Sequence, residues 1–334
     1  MKKSRIHLFS ILTIAALVSV SCGDDDTTET LPYLTGSPKF EFPAFSKPDI
    51  VLDITASGVT DDDGNEAEYF WYPSYATSEK DTIKTYTLRM PNDFTTFSIT
   101  CTAFKEGYYS TSTTKTVTIV SEDRENGSLT GRDFDIEKDF VFTDSRDGRE
   151  YWCTRVGDTE WFRDNLAYAG SGISVYDDCS DLAGIFGMYY SWNEAMEACP
   201  EGWRLASLDD WAKAAKVAGV EDADKLASFD SVAGAFMGDI QFNKEAMWEY
   251  WPNVKITNKL RLDVTPCGYV LLDTEGDNNK FQGMLEYASF WTSDSKDNDL
   301  AYYRYFYEDK ADIMLGSGSK ESFGASVRCV RDVK

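Results

Sequence analysis

The stretch Tyr302-Tyr303-Arg304-Tyr305-Phe306-Tyr307 is almost entirely aromatic. In a strand, alternation puts Tyr303, Tyr305 and Tyr307 on one side and Tyr302, Arg304 and Phe306 on the other. A row of tyrosines can stack on a sugar ring and hydrogen-bond its hydroxyls. The same row can also pack inside a small two-layer fold, with its hydroxyls partnered at the sheet edge. Two acidic loops accompany it. Asp273–Asn279 carries Asp273, Glu275 and Asp277, and Asp294–Asp299 begins at Asp294. Carboxylates of this kind are hard oxygen ligands for calcium, and they are equally the residues of surface turns. Asp61, Asp63 and Asn65 echo half of a calcium loop. The bidentate glutamate that would close such a loop is missing, so the segment reads as a tight turn.

The chain has one histidine, His7, near its start. Ser-His and Cys-His pairs and histidine metal ligands are therefore excluded from the remainder. Carboxylate-pair hydrolysis stays open in principle, but nothing selects a pair among 57 acidic residues. No glycine-rich phosphate loop and no CxxC is present. The expectation is a protein that is not an enzyme and has no cofactor, with calcium unsupported by any motif.

Lys2, Lys3 and Arg5 precede a largely apolar run, Ile6 to Val20, too short to span a bilayer, which takes about 20 residues. Residues 1–21 have the layout of a secretory signal. Ser21-Cys22-Gly23 resembles the lipobox of bacterial lipoproteins, in which the cysteine is lipidated. The acidic run after Cys22 resembles the surface-export signal of Bacteroidetes lipoproteins. Residues 22–36 then form a polar tether. The implied location is the outer membrane, facing outward, with membrane contact only through the lipid. Removing residues 1–21 leaves 30 basic against 57 acidic residues, a net charge of −27. Such a surface repels nucleic acid and anionic membrane.

Residues 37–121 read as short β-branched or aromatic strands broken by turn residues, from "FEFPAF" to "STTKTVTIV", which points to a β-sandwich. "TDDDGNEAEYFWY" and "CTAFKEGYYSTST" resemble the immunoglobulin-like PKD modules of bacterial surface proteins, with Trp71 as the core tryptophan. Residues 122–131 are polar and charged and read as a linker. From residue 132 the pattern changes. Two short strands surround Gly157-Asp158. A helix over "FGMYYSWNEAMEAC" would place Tyr189, Trp192, Ala195, Met196 and Cys199 on one face. A second helix starts at Ser207 as N-cap, with Asp210 three residues on, and ends near Gly219.

"VGDTEWFRDNLAY", "ACPEGWRLASLDDW", "TPCGYVLLD", "YASFWTSD", "AYYRYFYE" and "ASVRCVRD" occur in the order seen in the Fibrobacter succinogenes major paralogous domain. The resemblance covers residues 132–334. It implies an α+β fold similar to C-type lectins, with two helices on small antiparallel sheets. It also implies a disulfide between Cys199 and Cys329. Cys22 apart, Cys153 and Cys179 are then expected to pair, leaving Cys267, while Cys101 packs as a small buried hydrophobe. The lectin motifs for calcium-dependent sugar binding are absent, and Trp291 of "FWTSD" reads as core. The expected whole is a multidomain chain, an all-β immunoglobulin-like sandwich followed by an α+β C-type lectin-like domain. The partner expected is an extracellular glycan, or alternatively a surface protein.

Overall fold

The computed structural model describes residues 30–333, apart from 76–81, 93–95, 121–128, 171–174, 177–178, 243–244, 249–253 and 276–278. The expected signal and Cys22 lie outside the described residues. Strands account for 44% and helices for 10% of the structure, so the protein is β-rich. No helix of the described residues is long and apolar enough to cross a membrane.

The N-terminal part contains β1 (Thr35–Lys39), β2 (Phe45–Ser46), β3 (Val51–Thr55), β4 (Ser57–Thr60), β5 (Glu68–Pro73), β6 (Thr85–Arg89), β7 (Thr96–Phe104) and β8 (Thr111–Ile119). A sheet in the order β2-β8-β7-β5 shares one core with the pairs β3-β6 and β1-β4. Alternation builds that core: Tyr69 and Trp71 of β5 and Ile99, Cys101 and Ala103 of β7 point inward and are buried. Trp71 stacks on Tyr86 and meets Phe40 edge-on. Cys101 is a buried thiol, as expected. Of the first expected strand, 40–45, residues 40–44 are instead loop and Phe45 begins β2, with Phe40 and Phe42 packing on the core between β1 and β2. Leu34 already belongs to this core and Tyr33 bridges to Tyr109, so ordered structure begins before residue 37. Asp61 accepts hydrogen bonds from Asn65 and an ion pair from Lys105. The "DDDGN" segment is thus a turn in which a lysine already neutralises the carboxylate.

The C-terminal part starts earlier than residue 132. β9 (Leu129–Thr130), inside the expected linker, pairs with β14 (Gln241–Phe242), which also pairs with β15 (Glu245–Ala246). A second sheet contains β10 (Asp139–Thr143), β11 (Glu150–Val156), β12 (Thr159–Phe162), β22 (Cys329–Asp332) and β13 (Arg204–Leu205), in that order. The third, in the order β17-β16-β18-β19-β20, contains β16 (Cys267–Leu271), β17 (Lys280–Met284), β18 (Tyr287–Ser295), β19 (Leu300–Tyr307) and β20 (Met314–Ser319), with β21 (Phe323–Gly324) on β16. A short α1 (Ala183–Phe186) precedes α2 (Trp192–Ala198) and α3 (Leu208–Ala218).

Both longer helices start with a capping box, Ser191 with Glu194 and Ser207 with Asp210. Gly219 ends α3 at φ 124°, as its position in the sequence implied. The α2 expectation ran too far upstream. Tyr189 and Tyr190 are buried ahead of the helix, Tyr190 bridging to Ala325, and Met196 faces solvent. Trp211 of α3 meets Trp161 of β12 and Phe290 and Phe306 of β18 and β19, which joins the helix to two sheets. The N-terminal part is joined to this core as well: Phe45 lies edge-on to Tyr176, 5.7 Å between ring centres, in a cluster that also holds Val120 and Phe242.

Cys199 and Cys329 form a disulfide across 130 residues of sequence. Closing such a loop is worth about 4–5 kcal/mol in the chain-entropy account. The expected Cys153–Cys179 bond is not formed. Each is a buried thiol, and they lie in separate apolar clusters.

Arg163 is 1% exposed and donates to Asp263 at 3.0 Å and to Asp139 at 2.7 Å. Arg261 also grips Asp139, and Arg132 reaches Asp263 at 2.9 Å and Asp164 at 2.7 Å. Burial opposes ionisation of Asp139, but the bonds from Arg261 and its other donors outweigh it, and its pKa falls below the usual carboxylate value. Removing one member of such a set leaves a buried charge unmatched, at about 3–5 kcal/mol. Asp263→Asn is therefore expected to lower thermal stability by about 3–5 kcal/mol. Asp209→Asn, which breaks the exposed pair with Lys213, should cost at most about 1 kcal/mol. Denaturant melts of the two variants check this; equal small effects would contradict it.

Candidate functional site

β18 and β19 pair antiparallel, with Tyr287 opposite Tyr307, Ser289 opposite Tyr305 and Trp291 opposite Tyr303. Residues directly opposite share a face. The inward residues of β19 are Arg304 and Phe306, both fully buried. Arg304 donates to the carbonyls of Ala227 and Lys225, each at 2.6 Å, and lies 3.9 Å from the ring centre of Phe229. Burial lowers its pKa to about 10. The alternation read from the sequence therefore puts the tyrosines on the face of β19 opposite Arg304 and Phe306, where Tyr303 and Phe323 pack on the buried Trp291 of a second core cluster.

The tyrosine face extends beyond one strand. Tyr287 is 5.4 Å from Tyr305 and 4.9 Å from Tyr307, between ring centres. Phe323 stacks on Tyr303 at 4.8 Å and on Tyr269 at 5.5 Å, and Tyr269 reaches back to Tyr287 at 5.3 Å. The rings form one contiguous surface. Its exposure is graded: Tyr287 is buried, Tyr303 and Tyr305 are half-buried, and Tyr307 is 42% exposed. β20 makes room for it. A Cβ at Gly316, opposite Tyr303, would lie 2.5 Å from that ring. Glycine there lets the Tyr303 ring lie across the neighbouring strand.

Burial raises the pKa of Tyr287, Tyr303 and Tyr305. Their hydroxyls stay neutral at physiological pH and can donate and accept hydrogen bonds. The Tyr269 hydroxyl donates to Gln282 at 2.6 Å.

The acidic candidates have partners of their own. Asp294 accepts a hydrogen bond from the backbone of Leu208 at 2.7 Å, at the N-terminus of α3. It also acts on the guanidinium of Arg304, which faces away from the tyrosines. The structure therefore uses Asp294 as a helix cap and does not bring it to the ring surface. Asp273 accepts from the backbone of Glu275, and Asn279 accepts from that of Asp273. Asp277 lies outside the described residues. Among the described residues no group of three His, Cys, Asp or Glu is placed to hold a metal ion. The buried carboxylates of Asp139, Asp144 and Asp210 each pair with an arginine and have lowered pKa values. That is the opposite of what a general acid needs.

Sequence reasoning missed Tyr269, Tyr287 and Phe323 as members of the surface. Tyr287 was findable from the strand pairing of "YASFW" with "YRYFY"; Tyr269 and Phe323 arrive from distant strands.

The model of the Fibrobacter succinogenes major domain matches residues 154–331, just over half of the chain. The chain belongs to this family. No curated protein and no solved structure matches it. Every residue of the tyrosine surface falls inside the family match, as do Cys199 and Cys329.

Because folding raises these tyrosine pKa values above the unfolded value near 10, the unfolded chain ionises first as pH rises. Their contribution to stability is complete below about pH 10 and is lost above it. Absorbance at 295 nm should show a group of tyrosines that ionises only together with loss of near-ultraviolet circular dichroism. Titration of all tyrosines near pH 10 with the fold intact would contradict this.

Proposed function

We propose that this member of the Fibrobacter succinogenes major domain family is a lipid-anchored recognition protein on the outer surface of a bacterium. Cys22 carries the lipid, the N-terminal immunoglobulin-like, PKD-type domain is the spacer, and the C-terminal domain, of C-type lectin-like fold, binds a neutral glycan without metal or cofactor. The observation that supports this most is the contiguous ring surface of Tyr303, Tyr305 and Tyr307 with Tyr269, Tyr287 and Phe323. Aromatic faces match the apolar faces of pyranose rings, and phenol hydroxyls match their hydroxyls. The net charge of −27 disfavours anionic glycans.

A second reading, a protein-binding component of the cell surface, has one observation in its favour. Phe134, Ile136 and Val141 are 42%, 87% and 45% exposed, and Phe134 lies 5.2 Å from the ring of Trp152. A carboxylate hydrolase has the least support, since the buried acids named above are held by arginines.

The test is a panel of neutral and anionic glycans presented to the full chain, with and without EDTA. Neutral glycans should bind in EDTA. Tyr307→Ala and Tyr305→Ala should each weaken binding by up to roughly tenfold, as about 0.5–1.5 kcal/mol per ring predicts. A Cys22→Ser arm should move the protein from the membrane to the soluble fraction. Binding confined to the calcium condition, or indifferent to both tyrosines, would sink the glycan reading; a membrane-bound Cys22→Ser chain would sink the anchor.

A further inference from the structure

The outward face of the sheet β2-β8-β7-β5 differs from the rest of this acidic protein. Ser98 faces Thr116, Thr100 faces Thr114, and Thr102 faces Ser112. Their side-chain oxygens are 3.1, 2.8 and 2.8 Å apart. Three successive ranks of hydroxyls are thus bonded across the two strands. Next to them on β5, Tyr72 lies opposite Thr100 and Phe70 opposite Thr102. Tyr72 and Phe104 are 39% and 41% exposed, and Phe70 and Phe104 meet edge-on at 6.0 Å. Among the outward positions of β5, β7 and β8 the charged residue is Glu68, at one end.

We propose that this face is a second binding surface, for an extended neutral polysaccharide chain. The hydroxyls are preorganised. A threonine side chain is stiff about its first torsion, and each cross-strand bond fixes it further. Binding then costs little side-chain entropy. A hydroxyl has one donor and two acceptor sites, so each bonded pair keeps a donor and several acceptors for a ligand. The ranks repeat about every 6.8 Å along the strands, which lie about 4.8 Å apart. An extended chain of sugars meets such an array with hydroxyls of its own and sets its ring faces against Tyr72 and Phe104. The absence of charge in the middle of the face selects a neutral partner. Anionic polymers would also meet the field of a chain carrying a net −24. This inference does not depend on the tyrosine surface of the C-terminal domain.

The test is depletion of the full chain from solution by microcrystalline cellulose and by chitin, with a polygalacturonate gel as the anionic control. At least one neutral matrix should retain the protein, and the gel should not. Tyr72→Ala and Thr114→Lys should each lower the affinity tenfold or more without changing the melting temperature. Thr114→Val, which keeps the shape and removes the hydroxyl, should lower it about threefold and serves if the lysine variant misfolds. Made in a Tyr305→Ala background, Tyr72→Ala and Thr114→Lys should have the same effect, which separates this face from the other. The proposal is overturned if neither neutral matrix retains the protein, or if retention ignores Tyr72 and Thr114 in both the native and the Tyr305→Ala backgrounds. It is also overturned if the protein forms a dimer that Thr114→Lys dissociates, since the face would then belong to a second copy.

Discussion

The C-terminal domain depends on a buried cluster of arginines and aspartates. Arg163 holds Asp263 and Asp139, Arg261 holds Asp139 and Asp133, and Arg132 holds Asp263 and Asp164. Arg328 completes it with neutral partners, the side chain of Asn165 and the carbonyls of Phe162, Arg163 and Leu262. The chain segments so joined are far apart in sequence: the entry to the domain, the corner after β12, the loop 258–263 and the approach to β22. In that loop Asn258, Arg261 and Asp263 have φ of 44°, 57° and 46°. Left-handed backbone at a residue with a side chain costs roughly 1–2 kcal/mol. It persists here because Asn258 and Asp263 hydrogen-bond each other and the arginines fix the loop from both sides.

With those segments tied, the sheets have little freedom. β22 is bonded to β12 on one side and β13 on the other, and its Cys329 is linked to the end of α2 through Cys199. Trp211 and the residues around it fill the space between the helix and the sheets. β18 and β19 put their apolar inner residues into this core, where the two terminal nitrogens of Arg304 donate to the backbone carbonyls of Ala227 and Lys225. Their other face carries the tyrosines. Tyr303 and Phe323 pack there on the buried Trp291, so the rings are held from beneath in a fixed arrangement.

Much of this was legible in the residues. Strict alternation over Tyr302–Tyr307 identified which side chains share a face, because strand periodicity leaves no other choice. Ser207 with Asp210, and Gly219, marked the ends of α3 because caps are local chemistry. The Cys199–Cys329 bond came from the family resemblance. Other features were hidden for physical reasons. In a chain with 57 acidic residues, Asp139 and Asp263 look like surface residues, and only the fold shows that arginines distant in sequence bury them. Asp294 looked like a ligand because its partner, the amide of Leu208, lies far away along the chain. Cys153 and Cys179 looked like a pair by elimination, which carries no geometry. The helix expected to include Tyr189 starts later because Tyr190 bridges to Ala325 in extended backbone.

The central claim is that Tyr303, Tyr305 and Tyr307 form one recognition surface for a neutral glycan. Fluorine NMR of the full chain labelled with 3-fluorotyrosine tests it most directly. Each resonance is assigned by a single Tyr→Phe change, and the protein is titrated with neutral oligosaccharides such as cellohexaose and maltohexaose. The account predicts that the signals of Tyr303, Tyr305 and Tyr307 move together and saturably while that of Tyr151, buried in the core, stays still. Binding that leaves these three unmoved, or no saturable shift with any neutral oligosaccharide, would contradict it.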